Sequence, residues 1–192
     1  MPQPAAGQQP VFYYDLGDPE CYLQAEQIMT ALPLVPEFEP VLTAELLAPG
    51  SDAHAPLPEP DWERAARVAL ELDIQPLRRP DHWPPDTREA MLAATYAKRI
   101  GRAVAFSFAA FRQAFAGGRD LGDRDTVLIA GAACEMHPTA LLKGIALRST
   151  AEALDAANER ARQARVTTLP AVQVGDSVFT ELGAAARAME PA

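Results

Sequence analysis

The chain has 192 residues, 48% of them hydrophobic, and a formal net charge of −9. That is enough apolar content for one sizeable core, while an acidic chain with only two lysines, Lys98 and Lys143, argues against nucleic acid or an anionic membrane as partner. No apolar run approaches the length of a membrane span.

After the initial Met, Met1 to Pro10 is built of Pro, Gln, Ala and Gly. Lacking a basic start and an apolar core, it reads as a flexible tail rather than a signal peptide. Val11 to Leu16 is a short apolar and aromatic run, the pattern of a buried strand. Asp18 is placed to cap a helix, Pro19 fits its first position, and Glu20 suits the positive end of its dipole. Leu23, Ala25, Ile28, Met29 and Leu32 carry that helix to Pro33. Phe38 to Leu42 reads as a second strand, weakened by Pro36 and Pro40 to an edge or irregular one.

Pro49 to Pro60 has no periodicity and reads as a loop. Asp61 to Leu72 is a helix with Trp62, Ala66, Ala69 and Leu70 near one face, and Pro76 to Pro85 is too proline-rich for a regular element. Asp86 or Thr87 caps a helix to about Ile100. A second helix, about Arg102 to Ala116, carries a stripe of Val104, Phe108, Phe111 and Phe115 and ends at Gly117-Gly118. Asp123 or Asp125 opens a helix to about Glu135, and Pro138 starts another. Ser149-Thr150-Ala151-Glu152 is a capping box before a helix reaching Ala164. Ala171 to Val174 and Ser177 to Phe179 form a hairpin across Gly175-Asp176, followed by a helix over Leu182 to Met189. The expected organisation is therefore a tail (1–10), a first core segment (11–60), a mainly helical insertion (61–165) and a second core segment (166–192).

Two stretches resemble the halves of a thioredoxin-fold active site of the DsbA type. Val11 to Leu23 is similar to the strand and helix that carry a Cys-x-x-Cys tetrapeptide, here Asp18-Pro19-Glu20-Cys21. Thr168-Leu169-Pro170-Ala171 is similar to the facing cis-proline segment. Pro80 to Ala90, and Phe111 to Leu121 with its Gly-Gly-Arg-Asp-Leu ending, extend the likeness to the branch containing 2-hydroxychromene-2-carboxylate isomerase and kappa-class glutathione transferase. The resemblance implies an α/β fold, a thioredoxin-like core with an all-helical insertion. It also implies glutathione or another small thiol, or a peptide, held against Tyr14, Pro19, Leu169 and Pro170, with Asp18 and Cys21 at the catalytic positions. A cytoplasmic homodimer is the matching expectation, since the DsbA protein itself is periplasmic and this chain shows no signal peptide.

The departures from that family narrow the chemistry. Asp18 stands where the redox members have the attacking cysteine and the glutathione-using members a serine. A carboxylate exchanges no disulfides and repels a thiolate. Phe179-Thr180-Glu181-Leu182 lacks the family's Gly-x-Asp turn, which holds part of glutathione. Cys21 alone cannot close an internal disulfide, so dithiol oxidase activity is not expected. A glutathione- or thiol-linked isomerase or transferase is the first reading. A monothiol oxidoreductase using Cys21 and a non-catalytic module binding a peptide or partner are the alternatives. Trp83, His82 and Tyr13 are further candidates for the cleft wall. Cys134 reads as core, and no His, Cys and Asp spacing suggests a metal site.

Overall fold

A computed structural model describes residues 9–46 and 59–190. Most of the expected N-terminal tail (1–10) and most of the Pro49 to Pro60 loop lie outside the described residues. The first strand, β1 (Val11–Tyr14), leads into α1 (Pro19–Ala31) and then β2 (Glu37–Pro40). After these come α2 (Thr43–Leu46), α3 (Trp62–Glu71), α4 (Arg88–Arg99) and α5 (Ala103–Phe111). The chain continues through α6 (Arg124–Ala133), α7 (Pro138–Ile145) and α8 (Arg148–Gln163), and closes with β3 (Ala171–Val174), β4 (Ser177–Phe179) and α9 (Leu182–Ala188).

The four strands form one sheet in the order β2-β1-β3-β4. β1 runs parallel to β2 and antiparallel to β3, and β3 and β4 form the hairpin. Pro40 is tolerated because β2 lies on the edge, where one side needs no ladder partner. Helices α3 to α8 stand between β2 and β3 in the chain, so the helical block interrupts the sheet as the pattern implied. Among the described residues no helix is long and apolar enough to cross a membrane.

Alternation along β1 splits its side chains between two layers. Phe12 and Tyr14 enter the larger core with α1, α4 and α5, whereas Tyr13 enters a smaller one with Ala157 and Ala161 of α8. The larger core is aromatic. Phe12 meets Phe38 edge-on at 5.2 Å, and Tyr14 lies 5.8 Å from Phe111. The helix expected from Arg102 to Ala116 is not uniform, because α5 widens into a π-turn over Arg112–Ala116, closed by Gly117 N donating to Arg112 O at 2.8 Å. Phe106, Phe111 and Phe115 are buried while Phe108 and Val104 are half-buried.

Two further local expectations shift. In α3 the buried positions are Ala65 and Ala69, and Leu70 is exposed. These small residues let α3 approach α1. The capping box at Ser149 does not form. Helix α8 begins two residues earlier than a Ser149 cap requires, at Arg148, and the Ser149 hydroxyl accepts instead from Arg99 of α4 at 2.9 Å.

Candidate active site

The turn between β1 and α1 is organised by Asp15, a carboxylate only 3% exposed. Its Oδ1 accepts from Gly17 N at 3.0 Å and from the Thr87 hydroxyl at 3.1 Å. Its Oδ2 accepts from Thr43 N at 2.9 Å and from the Thr43 hydroxyl at 3.0 Å. Four donors thus satisfy both oxygens and tie β1, α2 and α4 together. Gly17 is required by the resulting crowding, since a Cβ there would stand 2.6 Å from the Thr87 methyl.

Three residues on, Asp18 caps α1 as its sequence position implied. Its Oδ1 accepts from Glu20 N at 2.8 Å. Beyond that cap the side chain lines a cavity of about 180 Å³ together with Pro19, Glu20, Thr43, Pro60 and Trp83. Trp83 is braced by Trp62 of α3, edge-on at 4.9 Å. Its indole N–H is buried and meets no acceptor among the described residues, so packing holds the ring. Glu59 at the entrance accepts from Trp62 Nε1 at 2.8 Å and pairs with Arg79 at 3.0 Å. Arg64 pairs with Glu20, joining α3 to the first turn of α1.

These surroundings perturb Asp18. Burial pushes its carboxyl up to about 7, with the negative charges of Asp15 and Glu20 adding to the effect and the Glu20 N–H opposing it. A carboxyl near 7 is half ionised at neutral pH, the condition in which one group both takes and gives a proton. Cys21 lies behind Asp18, fully buried, and desolvation with the Asp18 charge raises its thiol well above the ordinary range. The helix N-terminus, which favours thiolate, is overridden.

The structure brings only part of the expected set together. Asp18 and Pro19 line the cavity. Tyr14, expected at the ligand surface, is in the core with no exposure. Its hydroxyl donates to Ser107 Oγ at 2.6 Å, while Ser107 donates to Ala103 O. The strand pleat explains this, because Tyr14 and Phe12 share the face covered by α5. Leu169 and Pro170, joined by a cis peptide bond, lie at the same sheet end as the β1–α1 turn, just beyond the Tyr13–Ala171 pair. They do not line the cavity. His82 is exposed, and Tyr13 turns to the opposite face, where its hydroxyl donates to Gln173 at 2.8 Å. Both cysteines are free, and Cys134 is buried. No cluster of three metal-ligating side chains exists among the described residues.

Sequence reasoning missed Asp15 as the anchor, with Thr43 and Thr87 as its donors, and missed Glu59 and Pro60 at the cavity. The Asp61 cap placed Trp62 and Arg64 in the first turn of α3, but nothing in the sequence aimed that turn at α1.

The sequence matches no family model and no curated protein. Solved structures do match. A 2-hydroxychromene-2-carboxylate isomerase superposes with a TM-score of 0.75 at 16% identity, covering 90% of this chain and 88% of that one. A protein described as a probable DsbA oxidoreductase from Streptomyces coelicolor gives 0.75 at 15% identity, covering 94% and 88%. The chain has the DsbA-like thioredoxin fold. A provisionally assigned protein disulfide isomerase from Nitrosomonas europaea, with a TM-score of 0.65 at 17% identity over 90% of this chain and 88% of that one, has the same architecture. In this chain the turn after β1 and the first turn of α1 carry a carboxyl, Asp18, and one buried thiol, Cys21.

Proposed function

We propose that this DsbA-like protein is a proton-transfer enzyme of the isomerase type, with Asp18 as general acid and base for a small molecule in the cavity at the start of α1. The observation that carries this reading is the placement of Asp18, a carboxyl titrating near neutrality at an apolar, aromatic-walled space. General acid–base catalysis by a positioned group contributes about 10²–10⁴-fold. Ionised Asp18 removes a proton from the substrate, and the protonated form returns it to another atom of the same molecule, so the step is redox-neutral. Cys21 takes no part, because its thiol is buried and held protonated.

Glutathione fits this cavity poorly. Pockets that hold drug-sized ligands span about 300–1,000 Å³, against about 180 Å³ here. Asp18, Glu20 and Glu59 would repel a thiolate, and Arg64 and Arg79 are already paired. No step is therefore routed through a thiol.

The test is deuterium uptake from solvent into small enolisable ketones and unsaturated lactones, followed by NMR. Exchange should fall at least about 100-fold in Asp18→Asn and persist in Cys21→Ser. Undiminished exchange in Asp18→Asn, its loss in Cys21→Ser, or none across the panel would overturn the reading. Calorimetric titration of reduced glutathione into Cys21→Ser should give no saturable heat at millimolar ligand.

A further inference from the structure

The charge around the cavity is one-sided. Asp15 and Asp18 come from the β1–α1 turn, Glu20 from the first turn of α1, and Glu59 from the segment entering α3. The cations near them are Arg64, paired with Glu20, and Arg79, paired with Glu59; both are about half exposed. Cys21, beside Asp18 on α1, carries no positive charge. No ion pair reaches Asp18 among the described residues, so its carboxyl meets the cavity without a counter-ion, in a field that Asp15 behind it makes more negative.

The remaining walls are apolar. Trp83 forms one side, and Pro19 and Pro60 lie near it. An apolar indole wall beside an unpaired carboxylate suits an organic ammonium ion, whose N–H groups make a charge-assisted hydrogen bond to the carboxylate while its carbon skeleton packs against the ring. Size narrows the class. An apolar cavity of about 150 Å³ holds one benzene ring, so the 180 Å³ here takes a single ring or a short chain with its amine.

We propose that the cavity binds a small organic cation, a protonated primary amine on one ring or a short chain, with the Asp18 carboxylate as counter-ion and the Trp83 indole as apolar wall. This rests on Asp18 being the working group of the cavity, and names a class of ligand it takes. The amine donates to the carboxylate, while the ring or chain displaces water from between Trp83 and the prolines.

The test uses benzylamine, which stays protonated throughout, with benzyl alcohol and benzoate as its neutral and anionic counterparts. Binding to the full chain is read by calorimetry and by tryptophan fluorescence. Benzylamine should saturate at millimolar concentration, at least about tenfold more tightly than benzyl alcohol, and benzoate should not bind. A counter-ion ionising near neutrality makes the benzylamine affinity rise about tenfold per pH unit between about pH 5 and 7 and then level off. Asp18→Asn keeps the helix cap and should lose both the preference for the amine and the pH dependence. Trp83→Leu should weaken binding of the amine and the alcohol together. Failure of benzylamine to bind, equal binding of the alcohol, tighter binding of benzoate, or affinity independent of pH would each overturn the proposal. The catalytic reading fails separately. If benzylamine binds in an Asp18-dependent way but no proton exchange occurs, the site stands and the isomerase does not. If exchange proceeds and the amine does not bind, the reverse holds.

Discussion

Two carboxylates sit at the two faces of the sheet and are treated in opposite ways. Glu39 on β2 is 5% exposed and meets two cations, Lys98 at 2.8 Å and Arg160 at 2.9 Å. It borders an open groove of about 860 Å³ with Tyr13 and Gln173, and Lys98 also pairs with Glu37 at 2.6 Å. Asp18, at the end of β1 on the other side, is held by backbone N–H groups of the first turn of α1 and meets no cation among the described residues. A buried charge supplied with its partners is structural, because its burial is compensated. One left without them keeps its proton near neutral pH and is available for chemistry. Asp15 sharpens the contrast, since three residues away in sequence it resembles Glu39 in being fully satisfied.

The largest expected effect comes from breaking the satisfied group nearest the cavity. Asp15→Ala strands the buried N–H groups of Gly17 and Thr43, at about 1–3 kcal/mol for each donor left unpaired. Thermal unfolding should show a loss of several degrees or outright failure to fold. Asp18→Asn should cost at least about 100-fold in turnover while circular dichroism stays unchanged. On the opposite face, Lys98→Met leaves Glu39 with Arg160 alone. It should lower stability by about 1–3 kcal/mol in denaturant titration with proton exchange intact, and a loss of activity there would erase the division between the two faces.

A smaller effect tests the sign of the Asp18 perturbation. Its folded value of about 7 exceeds the ordinary 3.8, so between these the folded chain holds a proton that the unfolded chain has released. Asp18 therefore favours folding at low pH, and the contribution is lost as pH rises to about 7 and is constant above it. Removing the group should make Tm of Asp18→Asn, relative to the parent, more positive at about pH 8 than at about pH 4.5. The smallest effect belongs to Cys21→Ser, which should leave exchange unchanged. In the parent, Cys21 should resist alkylation at neutral pH, and rapid labelling would restore the monothiol reading.

The fold could be read from the chain because its signals are local. The apolar run at Val11, the cap and proline at Asp18-Pro19, the hairpin turn at Gly175-Asp176 and the punctuating prolines each act over a few residues. Placements set by distant partners were hidden. Tyr14 alternates correctly along β1, but only α5 packed against that face shows it to be core. Ser149 has the signature of a cap, yet Arg99 of α4 takes its hydroxyl. The π-turn at Arg112–Ala116 is announced by no periodicity. Asp18 was singled out from its position in the tetrapeptide. Its perturbation comes first from burial, with Asp15 and Glu20 adding to it, and the cavity wall is completed by Trp83 and by the segment entering α3.

The central claim, that Asp18 is the proton carrier, is tested most directly by a carbon-13 NMR titration of the aspartate carboxyls, with Asp18→Asn assigning the resonance. The account predicts a midpoint near 7 for Asp18, moving lower when benzylamine is added. A midpoint at the ordinary aspartate value in the free protein would contradict it and leave Asp18 a helix cap alone.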